Sequence, residues 1–558
     1  MNARIPMRHL AGAGVIAALA VALYLPFLGN PWVFDDRSFF SGGPIFYYYA
    51  TTPVGVVLRL PPYFSLAATE ALGGSMAVHR SISLLFHIAC ALALYQLLYD
   101  LQRLAAQAGR GAVPVPVPAF DADAATRAAI VAAAFAVHPV AVYGAGYLVQ
   151  RSILFATLFS LLSIILLLRG LRRGHHSDAI AAAVLYSLAV LSKEHALLLP
   201  AAALPVIALA GAPRRFALRH AAIYLAACAP AAILVTLLSL GWIGTTYEDA
   251  YSAIASQLDA LGGEGASAYP LTMSIVTQAG LFFRYLALWL WPDPGAMSVD
   301  LRVDFLGGWS AGWIAAKALA YAASGALGVA LLLRRGAARI AGFGLLYFWL
   351  LYLVEFSVAR FQEPFVLYRS YLWAPGIACM LLAATSRLPR RVLVAAGVAA
   401  CIALVFATRD RLLSFSSPLL LWEDAVAKLP QQTVPWGSRT MYNLGREYLY
   451  AGQPGKAVEI AERCIARYPE TAQCRYARGA IRLHRQDFEG ARADLTRVLE
   501  MQPASAIVHH RLGLALEGLG RLDQARTSYR RASELGYKGA DLELERMETP
   551  GVKPASRR

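Results

Sequence analysis

Residues 150–168 read QRSILFATLFSLLSIILLL and run directly into Arg169-Gly170-Leu171-Arg172-Arg173. After Arg151 no charge appears for seventeen residues. A bilayer core of about 30 Å is crossed by roughly 20 apolar residues in a helix. Stretches of the same kind recur at about 9–28, 78–99, 126–142, 179–192, 195–211, 221–242, 312–333, 340–356, 370–386 and 391–408, making eleven, and then stop. Working outward, the whole chain of 558 residues is 58% hydrophobic and 15% charged, with a mean hydropathy of +0.49. Soluble domains carry about 25% charged residues, so this chain lacks the polar surface to cover itself in water. The same hydrophobicity excludes a disordered chain. Six cysteines exclude a disulfide scaffold.

A twelfth apolar stretch, 274–291, carries Arg284 and ends Trp289-Leu290-Trp291-Pro292. Tryptophan marks a membrane interface, and an arginine at mid-span is costly. Arginines cluster at Arg4/Arg8, Arg103/Arg110/Arg127, Arg169/Arg172/Arg173, Arg214/Arg215/Arg219, Arg334/Arg335/Arg339 and Arg387/Arg390/Arg391. If 274–291 stays on the outer face, as an interfacial or re-entrant helix, all six clusters fall on one side, which is then cytoplasmic. These loops hold 17 arginines against four acids, Asp100, Asp121, Asp123 and Asp178. They account for most of the net +16. The basic balance is topogenic, and nucleic-acid binding is set aside. The first span reads as an uncleaved signal anchor, and Gly111–Pro118 as a stiff extended linker.

Past residue 408 the chain turns charged and helical with a period of 34. Gly445, Gly479 and Gly513 repeat at that spacing, as do Ala457, Ala491 and Ala525, and Pro469 and Pro503. This is the tetratricopeptide (TPR) pattern, with repeats at about 438–471, 472–505 and 506–539. The expected fold is all-α: a membrane domain over 1–408, a connecting helix or linker over 409–437, three repeats over 438–539 and a polar tail over 540–558. Eleven spans from a cytoplasmic start put the repeats on the outer side. There Cys464 and Cys474 lie in adjacent helices, read here as buried free thiols with a disulfide as the alternative.

The outer face carries the polar residues on which chemistry could rest. Asp35-Asp36 opens the first outer loop, about 29–77, and reads two ways: a solvated loop pair, or a general base with a neighbour that orients substrate. Arg59 lies in the same loop. His79 and Arg80 open the second span, with His87 two turns deeper, and His138-Pro139 ends the third. Gln150-Arg151 begins the fourth, Lys193-Glu194-His195 turns between the fifth and sixth, and Tyr368-Arg369 opens the tenth. Interfacial charges gathered at one depth point to function. A helix-turn ion pair at Lys193-Glu194, an interhelical hydrogen bond at His87 and a cap at His138 are the structural alternatives. No zinc spacing, phosphate-binding glycine loop or nucleophile-elbow serine is present.

In these residues the chain resembles the bacterial relatives of the transmembrane and TPR-containing protein O-mannosyltransferases, which are polyprenyl-phosphate-dependent glycosyltransferases of the GT-C fold. The resemblance runs in order through Asp35-Asp36, RLPPYFSL (59–66), HRSISLLFH (79–87), FAVHPVAVYGAGYLVQRSILFA (135–156), LSKEHALLLP (191–200), RYLALWLWP (284–292) and LYRSYLWAPG (367–376). It departs at Ser83, where the family usually has Asn, at Tyr368-Arg369, where Glu-Arg is usual, and at Arg59-Leu60-Pro61, a variant of Tyr-Arg-Pro. The departures bear on the donor sugar rather than on the reaction class.

The resemblance implies inverting transfer of a sugar from a polyprenyl-phosphate lipid to a hydroxyl, with protein Ser/Thr favoured, on the periplasmic side of a bacterial inner membrane. It implies Asp35 or Asp36 as general base. Arg369, Arg151, Lys193 and Arg59 become donor-phosphate ligands. His79, His87, His138, Glu194 and Tyr368 are further active-site candidates. No cofactor or metal is implied. The lipid tail is expected to enter beside 274–291, and the repeats to guide a protein acceptor. Two other readings stand beside this one: a non-catalytic membrane TPR scaffold for envelope or pilus assembly, and a lipid-linked sugar translocase.

Overall fold

The computed structural model describes residues 7–41, 57–108, 121–245, 259, 268–305 and 310–548. Arg4, Arg110 and the 111–118 linker lie outside them. The described residues are helical and contain no strand; Leu301 and Phe365 form an isolated antiparallel bridge. The chain divides into a unit that reaches Leu421 and a second that comprises the chain from Trp422 on together with Arg302–Asp304 from earlier in the sequence.

Among the described residues of the first unit, eight helices are long and apolar enough to cross a membrane by length and composition: His9–Phe27, Met76–Ala105, Leu148–Arg173, Arg214–Ser239, Pro270–Leu290, Gly312–Leu332, Ala337–Phe356 and Arg390–Ser414. Ala122–Ala136 and Pro139–Ala145 add a ninth if taken together, bent by 52°. The bend has a local cause. Proline disfavours the helical region for the residue before it, and His138 is extended, φ −82° and ψ 133°. Its ring then accepts the Val140 N–H at 3.2 Å, restarting the chain as a helix.

Three expected spans are short. Ser177–Ser192 and Glu194–Ala210 flank the turn at Lys193. The stretch 370–386 becomes the 3₁₀ turn Leu367–Tyr371 followed by Ala374–Ala384. Eleven residues rise only about 16 Å, half a bilayer core. Conversely, Pro270–Leu290 is one unbroken 21-residue helix, so it lacks the break of a re-entrant loop.

Close backbone contact sets the helices behind the site. A Cβ on Gly344 would stand 2.3 Å from the carbonyl oxygen of Gly376, and one on Gly376 as close to that of Gly344. Only glycine allows Ala337–Tyr352 and Ala374–Ala384 to meet there, the close approach typical of packed apolar helices. Beside them Phe282, Tyr285, Phe348, Tyr352 and Trp373 form an aromatic core. The Tyr285 hydroxyl donates to Val366 O at 3.1 Å and accepts from Val366 N at 2.7 Å. Gln278 donates to Pro364 O at 2.7 Å. These bonds hold the irregular segment after Phe356 in place.

The second unit stacks helix pairs Gly437–Tyr450 with Pro454–Arg467, Ala472–His484 with Phe488–Met501, and Ala506–Gly518 with Leu522–Glu534, then Lys538–Glu548. The period of 34 has a packing reason. Gly513 faces Tyr529 so closely that a Cβ would lie 2.5 Å from its ring. Ala457, Ala491 and Ala525 have no exposed surface. Buried Asp494 is held by Arg478 and Arg482 at 2.7 and 2.8 Å. The cysteine reading is corrected: Cys464 and Cys474 form a disulfide, their Cα atoms 5.6 Å apart. The tight turn Tyr468–Thr471 brings the last turn of one helix against the first turn of the next.

Candidate active site

The two adjacent aspartates have different surroundings. Phe34 takes a left-handed backbone, φ 50°, and Asp35 and Asp36 start the helix Asp35–Ser41. Asp36 is fully buried and accepts the N–H groups of Val149 at 2.9 Å and of Val33 and Leu148 at 3.4 Å. Burial pushes its carboxyl up to about 7, against the pull of Arg80 and those three donors. It ties its own loop to the turn at 147–149. Asp35 is exposed, and its Oδ2 accepts from the Tyr147 hydroxyl at 2.7 Å.

Asp35 lines a cavity of about 650 Å³. Arg59, Lys193, Glu194, Tyr368 and Arg369 line it too. Six of the eleven residues proposed from sequence therefore share one chamber, drawn from four separate parts of the chain. Leu197, Leu198, Val235, Trp242, Ile243 and Val354 give it an apolar wall, and Arg360 and Glu363 add further charge.

The charges are organised in couples. Arg59 donates to both oxygens of Glu194, at 2.7 and 3.2 Å, a two-bond fork. Glu355, with no exposed surface, gathers Arg360 at 2.8 Å, His195 at 2.9 Å and Arg369 at 3.1 Å. The Glu355 carboxylate and its neighbours hold Arg369 well above even the usual arginine range, so it stays charged. Lys193 differs. Among the described residues no carboxylate lies within ion-pair distance of it, and its Nζ sits 5.3 Å from the centre of the Tyr368 ring. Burial, together with Arg59, Arg369 and Arg360, draws it down to about 7, against the opposing pull of Glu194.

The other five candidates do not line this cavity. Arg151 is fully buried and spends its guanidinium on Ser65 Oγ and His79 O, both at 2.8 Å, and on Ser83 Oγ at 3.3 Å. These bonds make it an internal brace, away from the cavity where the other expected phosphate ligands lie. His79 meets Glu70 at 3.0 Å. His87 bridges Ala136 O at 2.9 Å and the Tyr371 hydroxyl at 2.7 Å. His138 caps its turn and stacks on Trp289 at 4.2 Å, beside a separate apolar cavity of about 400 Å³. Asp36 is the fifth. All have the geometry of structural groups.

Sequence reasoning passed over Tyr147, Glu355, Arg360 and Glu363, and gave His195 no role. A lone glutamate in the apolar run LLYLVEF (350–356) was the available signal. The lining includes no residue of Pro270–Leu290; the end of Arg214–Ser239 supplies that wall instead. Among the described residues there is no group of three or more His, Cys, Asp and Glu that could hold a metal ion.

No curated protein matches the chain. Among solved structures, the APC/C hetero-tetramer Cut9–Hcn1 is matched at 13% identity and a TM-score of 0.22, over 90% of this chain and 85% of that one. A score that low carries no argument. The tetratricopeptide-repeat model matches residues 442–506 and 485–536, where the glycine, alanine and proline periods and the paired helices lie. The C-terminal region of the chain is a tetratricopeptide-repeat array.

Proposed function

We propose that the chain is an integral membrane glycosyltransferase that moves a sugar from a polyprenyl-phosphate donor to a hydroxyl, with protein Ser/Thr as the favoured acceptor. One observation carries the reading: a single cavity holds an accessible carboxylate, Asp35, with the cations Arg59, Lys193, Arg360 and Arg369 and an apolar wall. A lipid phosphate ester needs each of these. Asp35 takes the proton of the acceptor hydroxyl as its oxygen attacks the anomeric carbon. The bond from that carbon to the phosphate oxygen breaks on the opposite face, and the configuration inverts. Charge developing on the departing polyprenyl phosphate falls to Lys193, Arg369 and Arg59. Lys193 is the freest of the three.

The apolar residues Val235, Trp242, Ile243, Leu197 and Leu198 suit the first isoprene units. Lipid entry past the end of Arg214–Ser239 therefore replaces entry beside 274–291. On this reading Pro270–Leu290 stays at the outer interface, the cavity opens on the outer side of a bacterial inner membrane, and the repeats recruit the acceptor. Mass spectrometry of envelope proteins and glycans, with and without the chain, tests the activity: a hexose mass lost with the chain supports it, and identical profiles overturn it.

The repeat array favours a second reading, a membrane scaffold that recruits envelope or pilus-assembly partners. The two separate on one pair of variants. A scaffold complements with Asp35→Asn and fails without the repeats.

A further inference from the structure

We infer that Tyr147 is the positioning residue that orients Asp35, and that it acts through the carboxylate rather than on substrate. The inference rests on Asp35 being the base. A single phenol oxygen makes two bonds to one residue: it donates to Asp35 Oδ2 at 2.7 Å and accepts from the Asp35 N–H at 3.2 Å. Backbone and carboxylate are thus fixed against the same point.

Tyr147 is itself immobilised. It is 2% exposed, with Phe34 at 6.1 Å and Tyr368 edge-on at 6.3 Å. The next two residues, Leu148 and Val149, donate their N–H groups to Asp36. The buried aspartate therefore anchors the turn that carries the phenol, and the phenol anchors the exposed aspartate. Burial and the charges of Asp35 and Asp36 keep the hydroxyl protonated, so it remains a donor throughout turnover. Tyr368 also lies under Lys193, so the same pair of rings spaces the base from the phosphate cation.

Removing a donor from a carboxylate raises its pKa. The charged and titratable groups sharing the cavity, Arg59, Lys193, Glu194, His195, Arg360, Glu363 and Arg369, are unchanged in Tyr147→Phe, so the shift reports the phenol alone. The test uses the full chain in proteoliposomes with polyprenyl-phosphomannose and a Ser/Thr peptide. Tyr147→Phe should lower kcat roughly 10–100-fold, leave the donor KM within about twofold, and move the acid limb of the pH profile upward. In an Asp35→Asn background the same substitution should cost nothing more. An unchanged kcat, an equal loss in both backgrounds or an unmoved acid limb overturns the inference.

Isotope-edited infrared titration of the Asp35 carboxyl gives a readout without turnover. Its pKa must rise in Tyr147→Phe, and an unshifted pKa overturns the coupling whether or not sugar moves. If the pKa rises while Asp35→Asn transfers sugar at the normal rate, the base assignment has failed and the positioning role falls with it.

Discussion

Arg369 donates to Glu355 at 3.1 Å, and that carboxylate has no exposed surface. Arg360 and His195 lie within 2.9 Å of the same group. Cutting one partner from a buried charge cluster leaves uncompensated charge and costs about 3–5 kcal/mol. Glu355→Gln should therefore lower the unfolding free energy by about that amount and release Arg369 from its place. Thermal unfolding of the solubilised full chain checks the stability loss; a melting curve like that of the wild type would show the cluster to be dispensable.

Lys193 gives a pH prediction. An ordinary lysine keeps its charge to about 10.4, whereas this one is drawn down to about 7 by burial and by the arginines around it. As pH rises from 6 to 8, Lys193 passes from charged to neutral, so the donor phosphate loses a ligand and its KM should climb. Lys193→Gln should raise KM about 10–100-fold at pH 6, the loss of one charge-assisted bond, and flatten the pH dependence. Donor KM measured across that range in both proteins decides it.

The Cys464–Cys474 disulfide closes a short loop over the turn between the first two repeats. Loops of this size contribute about 2–3 kcal/mol in chain-entropy accounting. Reduction, or Cys464→Ser, should lower the stability of the repeat array by that order, read as a shift in its denaturant midpoint with and without reductant. Alkylation and mass measurement of the chain isolated from cells should find this pair blocked.

The repeats were legible because packing recurs. Gly445, Gly479 and Gly513 each face a second helix, so one constraint is written three times in the sequence. The cavity was legible in part. Asp35, Arg59, Lys193, Glu194, Tyr368 and Arg369 stand beside helix ends, and the ends of apolar helices can be read from hydropathy. What hydropathy does not encode is direction around a helix. Arg151 begins its helix as expected, yet its guanidinium turns to Ser65, Ser83 and His79. Asp35 and Asp36 are neighbours in sequence, yet one meets solvent and the other the backbone of Val149. Arg360 and Glu363 lie on an irregular segment whose path depends on Tyr285 and Gln278, about 80 residues earlier in the chain, and no local period points to them. The disulfide stood only as the alternative reading for a similar reason: spacing alone does not say how closely two turns face each other.

The most direct test compares the two aspartates. The purified full chain in proteoliposomes is assayed for sugar transfer from polyprenyl-phosphomannose to a Ser/Thr peptide, with Asp35→Asn and Asp36→Asn side by side. Loss of a general base costs about 10²–10⁴-fold. Asp35→Asn should fall by that factor while still folding. Asp36→Asn should lose stability, because a buried amide meets backbone donors, yet its folded fraction should transfer within about tenfold of the wild type. Wild-type transfer by Asp35→Asn, or the full loss appearing only in folded Asp36→Asn, would contradict the account.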